Sequence, residues 1–255
     1  MFKLSGYLNL LFETGSLTER VNWIDKAGLD GIELYGFDKD LASVADATEQ
    51  HELEWVYLSG ERPAFTNPRN KEAAIESIES SLELAEAFGI QYLNVKTGTQ
   101  QAHLTERDQR AQVIEILEAA GPLAAQTDTT LVLEPLNTTV DHPGHFAATA
   151  AKGADIVRAV DHPNVRLLFD CYHEQIMTGD LIRSFRQQQD LIGHVHIADN
   201  PGRHQPGTGE INYEGVFKAL IDSGYEGYVG CEFMPTPDAD PVQILEALSS
   251  LRDRL

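Results

Sequence analysis

The chain has 255 residues, 42% of them hydrophobic, which is enough for one large core and within the size that an α/β barrel uses as a single domain. Its 40 acidic against 19 basic residues leave a formal net charge of −21, so it repels phosphate backbones and nucleic acid is excluded as an expected partner. No apolar run nears the roughly 20 residues of a membrane span.

The segment MFKLSGYLNLLF has no basic start, long apolar run and small-residue cleavage site, so no signal peptide is read and a cytosolic location is expected. The acid excess is spread along the chain. It suits an ordinary acidic enzyme, and equally a salt-rich cytosol where the self-repulsion is screened. Cys171 and Cys231 sit in apolar contexts without metal-site spacing and are expected to be buried, reduced thiols.

In chain order, short β-type runs alternate with amphipathic stretches. Strands are predicted at 4–8, 31–34, 53–57, 92–95, 130–133, 165–169, 192–197 and 228–232. Helices are predicted at 17–27, 41–51, 70–88, 105–126, 146–160, 180–189, 213–223 and 241–252. Gly28 and Gly89 follow two of them as C-terminal stops, and Thr-Glu-Arg-Asp opens the helix at 105. Eight strands and eight helices in strict alternation imply a parallel sheet with right-handed crossovers, and hence one (β/α)8 TIM barrel domain over residues 1–255. The other candidate, an open doubly wound sheet, would usually carry a glycine-rich phosphate turn, and the chain has none.

Active sites of such barrels lie at the C-terminal ends of the strands. There the fifth to eighth predicted strands end in Glu134, Asp170, His196 and Glu232. A single carboxylate there often only caps a helix. Several buried side by side are costly unless a cation neutralises them. Three carboxylates and an imidazole suit a hard divalent ion, Mg²⁺ or Mn²⁺, with Co²⁺ tolerated. Two carboxylates flanking a metal also suit moving a carbonyl to the neighbouring carbon, which needs one proton removed and one delivered. Glu33, Tyr57 and Lys96, near the ends of the second to fourth strands, are read as structural or rim residues. His194 is read as a hydrogen-bonded barrel histidine. Asn137, His142 and His145 are read as loop residues, and His204 is left between a substrate contact and a solvent-facing histidine.

The blocks LEPLNTTVDHPGHF, LLFDCYHEQIMTGDL, IGHVHIADNPGRHQPGTGEINY and GYVGCEFMP resemble those of hydroxypyruvate isomerases, within the xylose isomerase-like TIM barrel superfamily that includes the ketose 3-epimerases. GERP and NLLF are similar too, and the resemblance covers most of the chain. It implies Glu134 and Glu232 as acid/base pair and metal ligands, Asp170 and His196 as the remaining ligands, and His173 and Arg203 as substrate contacts. Such isomerases often carry Gln at the position of His196, where epimerases carry His. The substrate is therefore open between a small hydroxy-keto acid and a longer sugar, and the reaction between isomerisation and 3-epimerisation. A DNA-repair endonuclease on the same barrel would need more histidine ligands and a cationic groove. A non-catalytic sugar-binding barrel would not need both glutamates. The expected partner is a small sugar or keto-acid substrate, with homo-oligomer formation left open.

Overall fold

The computed structural model describes residues 1–37 and 39–255. Eight parallel strands close into a barrel in sequence order: β1 (Lys3–Tyr7), β2 (Gly31–Tyr35), β3 (Glu54–Ser59), β4 (Tyr92–Val95), β5 (Thr130–Leu133), β6 (Val165–Asp170), β7 (Ile192–Ile197) and β8 (Tyr228–Cys231). The helices are α1 (Leu8–Leu11), α2 (Leu17–Lys26), α3 (Leu41–Gln50), α4 (Lys71–Phe88), α5 (Glu106–Ala124), α6 (Ala150–Val160), α7 (Cys171–Met177), α8 (Leu181–Gln188), α9 (Tyr213–Asp222) and α10 (Pro241–Asp253). Among the described residues no helix is long and apolar enough to cross a membrane.

The main apolar core fills the layer between barrel and helices, built from residues such as Ile32, Leu93, Leu133, Phe169 and Val229 on the strands and Ile78, Ile116 and Phe217 on the helices. Because strand side chains alternate, the other residues of each strand face the barrel axis. There a separate cluster joins Tyr7, Tyr57, Val132, Leu168 and Tyr228. Cys171 and Cys231 are buried and unpaired, as expected.

Capping follows the local sequence. Ser16 and Glu19 form a reciprocal capping box on α2, and Thr105 Oγ1 accepts from the Asp108 amide to start α5. Gly28 and Gly89 stand at φ +70° and +67°, the left-handed stop that favours glycine. The helix expected from residue 146 starts only at Ala150. The Phe146 amide donates to the Gly98 carbonyl and the Ala147 amide to Thr97 Oγ1, so this stretch is held by the β4–α5 loop. Thr149 then caps α6.

Two short helices directly after strands, α1 and α7, were not foreseen. In α7, Asp170 Oδ1 accepts from the amides of Tyr172 and His173. The turn thereby fixes Asp170 as it starts the helix.

Candidate active site

Register gathers the expected ligands. β6 and β7 pair Asp170 with His196, and β7 and β8 pair His196 with Gly230. Glu134 and Glu232 lie one residue beyond β5 and β8, and their amides donate to Val95 and Ile197 carbonyls on the preceding strands. The result is a fully or nearly buried quartet of Glu134, Asp170, His196 and Glu232, with one ligand atom of each within 4.8 Å of the others.

His196 sits at the centre. Its Nε2 lies 2.8 Å from Glu33 Oε2, while its Nδ1 lies 3.1 Å from Glu232 Oε2 and 3.9 Å from Glu134 Oε1. Nδ1 is buried and makes no hydrogen bond. An ionised Glu33 requires a donor, which assigns the proton to Nε2 and turns the Nδ1 lone pair toward two carboxylates. That arrangement calls for a positive charge between them. Without one, the imidazole must take a second proton: burial alone would lower its pKa, but Glu33 and Glu232 lift it well above the usual value. A lone pair converging with three carboxylates fits a divalent ion bound by one nitrogen and several oxygens.

Each carboxylate is differently held. Glu134 Oε2 accepts from Asn94 Nδ2 at 2.9 Å. Glu232 Oε2 accepts from Arg203 Nη2 at 2.6 Å. Burial would raise its pKa, yet Arg203 and His196 hold it well below the usual carboxylate range. Asp170 goes the other way: burial pushes it up to about 7 against the pull of Arg203, and the neighbouring Glu232 and Glu134 add to the rise. Its free Oδ2 lies 3.8 Å from Arg203 and 3.7 Å from His173 Nε2.

His173 accepts at Nδ1 from Asn137 Nδ2, 2.7 Å away, so its proton sits on Nε2, which is buried without a partner. Burial lowers its pKa to about 3 and keeps it neutral. Asn137 also accepts the Val140 and Asp141 amides and so stabilises its loop.

The loop after β7 is organised by Asp199, fully buried at its root. Its carboxylate accepts the amides of Asn200, Gly207, Gly209 and Ile211 at 2.8–3.1 Å. Arg203 stands in this loop at φ +55° after Gly202 at φ +99°, and the Met234 amide donates to its carbonyl. His204 Nδ1 meets the Met234 carbonyl at 2.8 Å, so His204 ties the loop to the β8 end.

The residues read as structural or rim residues divide between the two. Glu33 is not on the rim: it is fully buried beneath the quartet and shared by Ser5, His194 and His196 at 2.6, 2.9 and 2.8 Å. Gly230 makes room for it, since a Cβ there would run into Glu33 Oε1 and His196 Cδ2. His194 is the hydrogen-bonded barrel histidine expected, stacked between the Tyr57 and Tyr92 rings. Tyr57 is buried edge-on against His196. Tyr57, Lys96 and His142 line, with the quartet's two glutamates, His173 and Arg203, an open-mouthed cavity of about 240 Å³. His145 is buried against Thr97 Oγ1. Asn94, Asp199 and Ser5 were not singled out in the sequence.

A closed parallel barrel with a carboxylate–histidine quartet at its strand ends defines a TIM-barrel enzyme, and comparison narrows the class. The chain belongs to the xylose isomerase-like TIM barrel family, whose model matches residues 21–254. It is 30% identical to the hydroxypyruvate isomerase of Escherichia coli, over 92% of this chain and 94% of that protein. Among solved structures it is similar to an AP endonuclease, family 2, from Brucella melitensis (TM-score 0.90, 29% identity, 98% and 99% coverage). It is also similar to the 3-keto-D-glucoside 4-epimerase of E. coli (TM-score 0.86, 26% identity, 99% and 100% coverage).

Proposed function

We propose that the chain is a divalent-metal-dependent isomerase of a small hydroxy-keto acid or sugar, of the hydroxypyruvate to tartronate semialdehyde type. The observation that carries this is the buried His196 Nδ1, unpaired and flanked by Glu134 and Glu232. The likeness to a hydroxypyruvate isomerase over nearly the whole chain supports the same reading.

A divalent ion in the quartet would act as Lewis acid on two neighbouring substrate oxygens and offset the charge of an enediolate. The residues of the chain supply the proton traffic. One of Glu134 and Glu232 takes the proton from the hydroxyl-bearing carbon, and the other delivers a proton to the former carbonyl carbon. Asn94 orients Glu134, and Arg203 orients Glu232 and keeps it ionised. His173 presents its Nε2 proton as a hydrogen-bond donor to a substrate oxygen. The buried rings of Tyr7 and Tyr57 form part of the cavity wall.

The similarity to a 4-epimerase favours a second reading, in which the proton returns to the carbon that lost it and a hydroxyl is inverted. The AP endonuclease likeness would require a cationic path for DNA, against which the net charge of −21 argues. The test is incubation of the Mn²⁺- or Mg²⁺-loaded protein with hydroxypyruvate and with ketoses in D₂O, followed by NMR of the products. A shifted carbonyl with carbon-bound deuterium is expected. An inverted centre with an unmoved carbonyl would replace isomerase by epimerase, and no exchange on any of these compounds would refute both.

A further inference from the structure

An isomerase of hydroxy-keto acids must recognise a carboxylate that does not react. In hydroxypyruvate the two reacting oxygens sit on neighbouring carbons, and the carboxylate extends from the carbonyl carbon. With the reacting oxygens turned to the quartet, the carboxylate points to another wall of the cavity. Two cationic side chains line that cavity, Arg203 and Lys96. Arg203 already faces two carboxylates, Glu232 at 2.6 Å and Asp170 at 3.8 Å, so its charge is locally balanced.

Lys96 differs. It is the second residue after Asn94, so it follows the inward-facing alternation of β4 just past the strand end. Its backbone neighbour Val95 accepts the Glu134 amide, which sets it beside one of the catalytic carboxylates. Among the described residues its amine makes no hydrogen bond or ion pair, and it stands over the Tyr35 ring, with the centroid 5.8 Å away. It is only half-buried, so it is open to an entering ligand. The rest of the wall offers it no fixed positive charge to compete: His173 is held at Nδ1 by Asn137, and Tyr7, Tyr57 and Leu136 are neutral side chains.

We propose that Lys96 is the carboxylate anchor of the site, the residue that selects hydroxy-keto acids over neutral sugars. This rests on the isomerase reading given above and names its substrate class. An ammonium is a point charge with three donors on a flexible stem, suited to meet either carboxylate oxygen. Its attraction for the acid is made in ground and transition states alike, so it acts on KM more than on kcat.

The experiment measures hydroxypyruvate kinetics of the metal-loaded wild type, Lys96→Gln and Lys96→Arg, with glycerol as an uncharged three-carbon competitor. Lys96→Gln should raise KM for hydroxypyruvate about 10- to 100-fold, the scale of one hydrogen bond to a charged group. Its kcat should change less than about threefold, and so should the Ki of glycerol. Lys96→Arg should recover part of the loss, because the charge remains. An unchanged KM in Lys96→Gln, or a fall in kcat with KM unmoved, overturns the anchor and leaves the isomerase reading standing. If the wild type does not turn over hydroxypyruvate, that reading fails, and the anchor is judged by the calorimetric Kd of hydroxypyruvate. A Kd weakened at least about tenfold by Lys96→Gln supports it, and equal or undetectable binding in both proteins overturns it.

Discussion

His196 on β7 donates its Nε2 proton to Glu33 on β2 across 2.8 Å, over a sequence separation of 163 residues. The same carboxylate accepts from His194 and Ser5, so Glu33 is a buried acceptor with every neighbour a donor. Burial alone would raise its pKa, but the two histidines hold it at about 2. Glu33 therefore fixes the tautomer that presents Nδ1 to the quartet, as carboxylates commonly do behind metal-binding histidines.

Glu33→Gln should weaken Mn²⁺ binding about 10- to 100-fold by calorimetry, the usual effect of losing such a support. It should also cost about 3–5 kcal/mol of unfolding free energy, because a buried ionic partner is removed. Ser5→Ala removes one donor and leaves the charge, so it offers a milder variant that should keep most of the metal affinity. Wild-type metal affinity in a folded Glu33→Gln protein would show that His196 is oriented by other contacts.

What could be read from the chain beforehand divides along the range of the interactions. The strands announce themselves as apolar runs between turn residues, and Glu134, Asp170, His196 and Glu232 end four of them, so the quartet is visible as a pattern. Glu33 and Asn94 also end or interrupt apolar runs. Their roles come from partners 161–163 and 40 residues away, which no local window contains. Asp199 looks like a turn residue until the loop folds back over it with four amides. The helices α1 and α7 are too short to show a helical period, and α7 exists because Asp170 caps it.

Metal removal should be felt by the fold as well as by the chemistry. Three carboxylates stand within 4.8 Å of one another and an imidazole, and a bound cation relieves their repulsion. Adding Mn²⁺ to chelated protein at about 100 times its Kd should stabilise it by about 2.7 kcal/mol, measured as a rise in thermal midpoint. Chelation should abolish isomerisation, and readdition of Mg²⁺ or Mn²⁺ should restore it. A midpoint and an activity both indifferent to chelator would dismiss the metal centre.

Asp199→Ala leaves four loop amides without their acceptor, all in the segment that carries Arg203. The cost should be at least about 2 kcal/mol, since four amides lose one buried acceptor together. Limited proteolysis should begin to cut between residues 200 and 212, and kcat should fall as Arg203 loses its hold on Glu232. A loop that resists protease as well as the wild type would mean that its contacts to Met234 and Thr236 suffice.

His145 gives a pH dependence with a definite sign. Burial, with a smaller push from His142, lowers its pKa to about 4, against an ordinary value near 6.5. Between these values the unfolded chain binds the proton and the folded one does not, so stability falls as pH drops from about 6.5 to about 4. His145→Gln removes that titration and can still reach Thr97 with a polar group. The slope of unfolding free energy against pH should then be smaller by up to about one proton over this window. Parallel curves for the two proteins would show that His145 titrates alike folded and unfolded.

On the proposed mechanism, Glu134→Gln and Glu232→Gln separate the two halves of the proton transfer. Each should lower kcat by at least about 10²-fold, the scale of general acid/base catalysis, with metal occupancy measured on the same samples. Their structural consequences differ because their partners differ. In Glu134→Gln the side-chain carbonyl that remains can still accept from the neutral Asn94 amide, so stability should stay within about 1 kcal/mol of wild type. At position 232 the lost charge faces Arg203 in a largely buried pair, so Glu232→Gln should destabilise the metal-free protein more. It should also leave Arg203 to Asp170, now its nearest remaining carboxylate, drawing the Asp170 pKa down from about 7. NMR titration of the Asp170 carboxyl in chelated Glu232→Gln against chelated wild type reads that shift. Normal turnover by either variant with metal bound would remove that glutamate from the acid/base pair.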